Sequence, residues 1–238
     1  MVTWCALRQS IKTAPPSLSP LLPTLAASAT FSDAIRYLIG SELQLALSSV
    51  EPLKSANLEC GLLDLAAVLK KDPALIGQPI YVPLLLFKGF KSIQAYRISH
   101  LLWNTTVNRE TNRILALAVQ SRCSERYQTD IHPAANIGSS FLIDHATGVV
   151  IGETASIGDN CVVLHGVTLG GKGRDGSHDR HPKIGDNVTI GAQSTLLGNI
   201  KIGSNTTIGA GSVVTKSWPE NGLTLVGNPA KPLLSSKL

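Results

Sequence analysis

The chain has 238 residues, 43% of them hydrophobic, and 21 Lys and Arg against 16 Asp and Glu for a formal charge of +5. That length suits one large or two small domains; no apolar run is long enough to span a membrane, and basic residues scattered rather than gathered with aromatics argue against a nucleic-acid partner. Cys5, Cys60, Cys123 and Cys161 lie far apart with no CxxC pair, which suggests neither a disulfide framework nor a zinc ribbon and fits a reduced intracellular setting.

Residues 1–32 contain Pro15, Pro16, Pro20 and Pro23 and no acidic residue, with Arg8 and Lys12 supplying positive charge. The prolines argue against a packed element and the composition against an ordinary one, so this stretch reads as disordered or as a targeting segment. A helix is expected from Ser32-Asp33, where Asp33 can cap, with Ile35, Leu38, Ile39, Leu43, Ala46 and Leu47 at steps of mostly three and four. A second covers 62–70 and stops before Asp72-Pro73, because the residue preceding a proline disfavours helical angles. The third runs from about Pro83 to Trp103 with its proline in the first turn, and the fourth from about Glu110 to Arg126. Residues 33–128 are thus expected to form an all-α domain.

Beyond Asp130 the period changes to six. Aliphatics stand at Ile131, Ile137 and Ile143, at Ile151, Ile157, Val163 and Leu169, and at Ile184, Ile190, Leu196, Ile202, Ile208 and Val214. Small or β-branched residues such as Val188, Ser194, Ile200, Thr206 and Ser212 follow four places later, which is the pattern of a parallel β-helix over 129–231. The beat slips by two at Asp144-His145-Ala146-Thr147-Gly148, and it vanishes between Leu169 and Ile184 in a glycine-rich, charged stretch that must be an external loop. Irregular segments bearing titratable groups tend to lie at sites. The tail, 232–238, ends in Ser236-Lys237-Leu238, which matches a peroxisomal address.

These elements together carry a family resemblance. Lys71-Asp72-Pro73-Ala74, Phe87-Lys88-Gly89-Phe90, Asp130-Ile131-His132-Pro133, Asp144 to Gly148, His165 to Gly171, Asp179 to Gly185 and Gly227 to Lys231 resemble the serine acetyltransferases. The resemblance implies an α+β chain, an N-terminal all-α domain followed by a left-handed parallel β-helix of hexapeptide repeats. It implies transfer of acetyl from acetyl-coenzyme A to the L-serine hydroxyl, giving O-acetylserine in cysteine biosynthesis. It also implies a homotrimer or a dimer of trimers.

Such a reaction needs a base for the hydroxyl proton. The resemblance assigns this to His145, with Asp130 fixing its tautomer, and a direct ternary-complex route. Residue chemistry alone leaves His145 equally readable as a solvated residue on a coil corner. Arg180 can grip the serine carboxylate in a bidentate way and His181 can add a donor. By resemblance Asp144 and Asp72 receive the ammonium, although Asp72 also reads as a helix-terminating Asp-Pro turn. Acetyl-coenzyme A, the co-substrate, is expected on backbone amides of Gly171, Ala192 and Ala210, with Lys231 meeting phosphate and no metal. Ala192 and Ala210 are three repeats apart and should stack. Lys172 and Gln193 depart from the usual threonine and glycine of the family, and His178 reads as solvated.

The chain stops seven residues after Lys231, so a complex with the sulfhydrylase of the pathway is doubted. The setting expected is cytoplasmic, with plastid, mitochondrial or peroxisomal targeting raised by the two ends. Two alternatives stand beside this reading: a zinc carbonic anhydrase on the same solenoid using His145, His165 and a loop histidine as ligands across a trimer seam, and an inactive regulatory homologue.

Overall fold

The computed structural model describes residues 2–55, 57–173 and 178–233. Ser236-Lys237-Leu238 and residues 174–177 of the external loop lie outside the described residues. The chain divides into two compact units, Met1–Tyr127 and Gln128–Leu238.

The helical unit begins earlier than the sequence suggests. Helix α1, Trp4–Lys12, is capped by Thr3, whose side chain accepts from the Ala6 N–H, and it buries Leu7 and Ile11, four residues apart on one face. Helix α2, Leu22–Ala27, buries Leu22 and Leu25. The expectation of disorder over 1–32 is corrected here. Pro16 opens a 3₁₀ turn and Pro23 lies in the first turn of α2, positions where a missing N–H costs nothing. Leu7 is fully buried. Leu7→Ala is expected to destabilise the chain by about 2–5 kcal/mol, seen as a lowered urea midpoint; an unchanged midpoint would show that α1 contributes no packing.

Helix α3, Phe31–Leu43, is capped by Thr30, and Asp33 reciprocates: Thr30 Oγ1 accepts from the Asp33 N–H at 3.1 Å while Asp33 Oδ2 accepts from the Thr30 N–H at 3.2 Å. It ends at Gln44, in the left-handed region at φ 57°, so Ala46 and Leu47 belong to the next turn. A short helix α4, Glu51–Lys54, was not anticipated. Helix α5, Cys60–Lys71, stops at Asp72. The expected third helix is two, α6, Tyr81–Leu86, and α7, Lys88–Asn104, parted at Phe87 with ψ 108°. Lys91 on α7 donates to the Leu85 carbonyl at 3.1 Å and to Glu42 Oε1 of α3 at 2.9 Å, which ties the broken end down. Helix α8, Arg109–Tyr127, closes the unit, and its Tyr127 hydroxyl donates to the same Glu42 at 2.7 Å.

The second unit is a parallel solenoid with three ladders of buried aliphatics. One runs Ile131, Ile151, Leu169, Leu196, Val214; the next Ile137, Ile157, Ile184, Ile202; the third Ile143, Val163, Ile190, Ile208, Leu225. Each fully buried aliphatic contributes roughly 1.5–3 kcal/mol, which is what sets the register of the coils. Along the first ladder the steps are 20, 18, 27 and 18 residues. With 18 residues to a coil, one coil carries two extra residues and another carries nine. The two fall at His145-Ala146 and the nine in the loop before Lys183.

Corners require left-handed backbone. At one, Ser140, Asn160, Asn187 and Asn205 take φ of 56–59°, and Asn160 Nδ2 donates to Asn187 Oδ1 at 2.7 Å while Asn187 Nδ2 donates to Asn205 Oδ1 at 3.2 Å. Short polar side chains tolerate this region best.

Candidate active site

Two edges of the solenoid carry the residues singled out by the sequence. The first lies between the third and first ladders. Here the two inserted residues, His145 and Ala146, both adopt positive φ, 58° and 64°. Ala146 N–H donates to the Asp144 carbonyl and Thr147 N–H to that of His145, each at 2.7 Å, so the insertion is a tight bulge. Ala146 turns inward and is fully buried, which throws the His145 side chain outward, 73% exposed. Asp144 pairs with His145, Oδ2 to Nε2 3.6 Å, and the ring of His165 stands 5.7 Å away at 75°. Asp130, expected beside His145, is half-buried on the strand Thr129–Ile131 in register with Val150, and its charge acts on His132.

Ala192 and Ala210 lie higher on this edge. Gly211 N–H donates to the Ala192 carbonyl at 2.8 Å, which stacks the two corners as the eighteen-residue spacing requires. Gln193 occupies the left-handed corner at φ 61°, where Gly148, Gly166 and Gly211 serve in other coils.

The second edge, between the first and second ladders, holds Gly171, Arg180 and His181. Thr154 organises it. Its Oγ1 accepts the backbone N–H of both Arg180 and His181 at 3.1 Å and lies 2.8 Å from His181 Nδ1, to which the Thr154 N–H also donates at 3.1 Å. Because Nδ1 accepts from that N–H, the neutral ring carries its proton on Nε2. Lys183 donates to the Thr154 carbonyl and to Asp179, pinning the end of the loop. His181 is buried, and a Cβ on Gly152 would collide with its Nε2, so that position needs glycine. Arg180 lays its aliphatic stem along Gly171 and places Nη2 3.2 Å from Glu153 Oε2. Sequence reasoning missed Thr154 and Glu153; both follow Ile151 in an ordinary-looking repeat, and only the returning loop gives them a task.

Burial, then the charges of Arg180 and Lys183, holds the His181 imidazole below its usual 6.5, and burial does the same at His132. The unfolded chain accepts protons there more readily, so these histidines add stability above about pH 6.5 that is lost as pH falls through it. Urea midpoints are expected to be lower near pH 5.5 than near pH 7.5, and His181→Gln should narrow the gap. An unchanged gap would contradict the assignment.

Lys172 donates to the Thr215 carbonyl at 3.0 Å, lying across Gly198. Lys231 is exposed and pairs antiparallel with Val226. Asp72 caps the turn after α5, its Oδ1 accepting from the Ala74 N–H at 2.9 Å, which is the Asp-Pro turn reading. Among the described residues no group of three or more His, Cys, Asp or Glu could hold a metal ion. No described helix is long and apolar enough to cross a membrane.

Residues 181–216 match the model of the bacterial transferase hexapeptide family, six repeats, so the solenoid is the left-handed β-helix of the hexapeptide-repeat transferases. Residues 4–95 match the serine acetyltransferase N-terminal model. The chain is 57% identical over 169 residues to the chloroplastic serine acetyltransferase 1 of Arabidopsis thaliana, covering 71% of this chain and 51% of that protein. It is 48% identical over 168 residues to the serine acetyltransferase of Buchnera aphidicola, covering 71% and 58%. The chain thus spans about half the length of the curated relatives it matches. Among solved structures, it matches the Neisseria gonorrhoeae serine acetyltransferase in complex with serine at TM-score 0.85 and 41% identity, covering 98% of both chains. It matches the Brucella abortus enzyme in complex with coenzyme A at TM-score 0.86 and 38% identity, covering 97% of this chain and 94% of that one. The chain belongs to the serine acetyltransferase family. These relatives favour neither the carbonic anhydrase nor the inactive-homologue alternative.

Proposed function

We propose that this chain transfers the acetyl group of acetyl-coenzyme A to the hydroxyl of L-serine, giving O-acetylserine for cysteine biosynthesis. The observation that carries the reading is the two-residue bulge that projects His145 from an otherwise regular solenoid. His145 takes the hydroxyl proton as serine Oγ attacks the thioester carbonyl, and returns it to the sulfur as the C–S bond breaks, with no acyl-enzyme. Asp144, 3.6 Å from His145 Nε2, steadies the imidazolium as well as facing the ammonium. Asp130 as orienting carboxylate, Asp72 as an ammonium ligand, and Gly171, Ala192, Ala210 and Lys231 as coenzyme contacts rest on the family likeness.

His145, Ala192 and Ala210 lie on one edge, whereas Gly171, Arg180 and His181 lie on another. One substrate cannot lie along two edges of the same prism. We therefore assign a homotrimer, in which the first edge of one copy meets the second edge of the next; light scattering at three chain masses tests it. Relatives named chloroplastic and mitochondrial support an organellar setting.

The direct test is thiol release from acetyl-coenzyme A across a panel of amino-acid and sugar acceptors, with serine alone expected to give full turnover. A sugar preferred over serine would sink the reading. Thr154→Val should raise KM for serine more than it lowers kcat, because Arg180 and His181 lose their seat, and Thr154→Ser should restore it. Equal changes in both constants would make Thr154 a packing residue only.

A further inference from the structure

Corners of the first edge form a column of left-handed residues, Gly148, Gly166, Gln193 and Gly211, with φ of 77°, 70°, 61° and 69°. The glycines leave a bare backbone floor beside the bulge of His145, and Gln193 puts a side chain back on it. That side chain turns down over the coil below. A Cβ on Gly166 would lie 2.5 Å from Gln193 Cδ and Oε1 and 2.6 Å from Nε2, so the whole carboxamide rests on Gly166. Gly166 follows His165, whose ring is 5.7 Å from that of His145. Glycine is the residue that a left-handed corner accepts at no steric cost, so turn geometry does not call for glutamine here.

The hydrogen-bonding groups of this floor are one-sided. The carbonyls of Thr147, His165 and Ala192 already accept from the N–H groups of Gly166, Gln193 and Gly211 at 2.8, 2.9 and 2.8 Å. The N–H groups of Ala192 and Ala210 have no acceptor among the described residues, so they remain as donors. The exposed Gln193 carboxamide likewise has no partner among the described residues. An extended ligand laid along the column finds backbone donors for its carbonyls, and for an N–H it finds the Gln193 oxygen. The arm of coenzyme A is such a ligand, because each of its amides carries a carbonyl and an N–H, and covering that N–H without an acceptor is costly.

We propose that Gln193 is a coenzyme-binding residue, whose Oε1 accepts a hydrogen bond from the arm amide nearest the sulfur and so sets the thioester beside His145. The inference rests on the acetyl-transfer reading above.

Gln193→Gly tests it in the full chain, since glycine already serves this corner in neighbouring coils and the coil should keep its shape. The KM for acetyl-coenzyme A and the Kd for coenzyme A by calorimetry are expected to rise about 3- to 10-fold, with KM for serine within about twofold. Two truncated donors locate the contact. S-acetyl-N-acetylcysteamine keeps the amide nearest the sulfur, and S-propyl thioacetate lacks it. Wild type is expected to favour the first in kcat/KM, and Gln193→Gly to lose most of that preference. An unchanged or lowered KM for acetyl-coenzyme A in Gln193→Gly would show that the side chain only obstructs the groove, and it overturns the proposal, as does a donor preference that survives the substitution. A wild-type chain that turns over no serine overturns the acetyl-transfer reading, and this inference with it. The outcomes are distinguishable because the wild type is measured first.

Discussion

His145→Ala is expected to lower kcat by about 10²- to 10⁴-fold while coenzyme A binding, measured by calorimetry, stays within a few-fold of wild type. The bulge explains why the two effects should separate. His145 is 73% exposed and is held by the turn formed by Asp144, Ala146 and Thr147, not by packing of its own ring. Removing the imidazole therefore leaves the buried Ala146 and the corner above it, with Ala192 and Ala210, in place. Retention of more than about a tenth of activity would contradict the role of base.

Arg180→Lys should raise KM for serine by about 10- to 100-fold with a much smaller change for acetyl-coenzyme A. A hydrogen bond to a charged group is worth roughly 1.5–3 kcal/mol, and lysine offers a point charge where arginine offers a planar fork. The Arg180 main chain should survive the change, since its N–H is bound by Thr154 whatever the side chain. The stem packing along Gly171 and the 3.2 Å contact to Glu153 are what lysine would not reproduce. A KM that rises equally for both substrates would place Arg180 in folding of the loop instead.

The helical unit was legible where one face repeats, as in α3, α5 and α8, and illegible where local geometry overrides the pattern. The break at Phe87 interrupts an apolar run that reads as one helix, and it is stabilised by Lys91 reaching back to the Leu85 carbonyl, a contact with no periodicity to betray it. Over 1–32 the prolines mislead, because their effect depends on position within a turn and not on their number.

In the solenoid the sequence by itself determined the coil. A six-residue beat of aliphatics has only one way to bury every third strand on the same ladder, so its two interruptions show as a slip within Asp144 to Gly148 and a gap between Leu169 and Ile184. What only the tertiary structure decided is which groups meet across coils. Thr154 gathers Arg180 and His181 from 26 and 27 residues away, and His165 comes to face His145 from the next coil. It likewise set Asp144 beside His145. The physical reason is that the repeat constrains inward-facing residues through burial, while outward-facing ones are aimed by corner dihedrals and insertions, such as the positive φ of His145 and Ala146, that leave no period in the sequence.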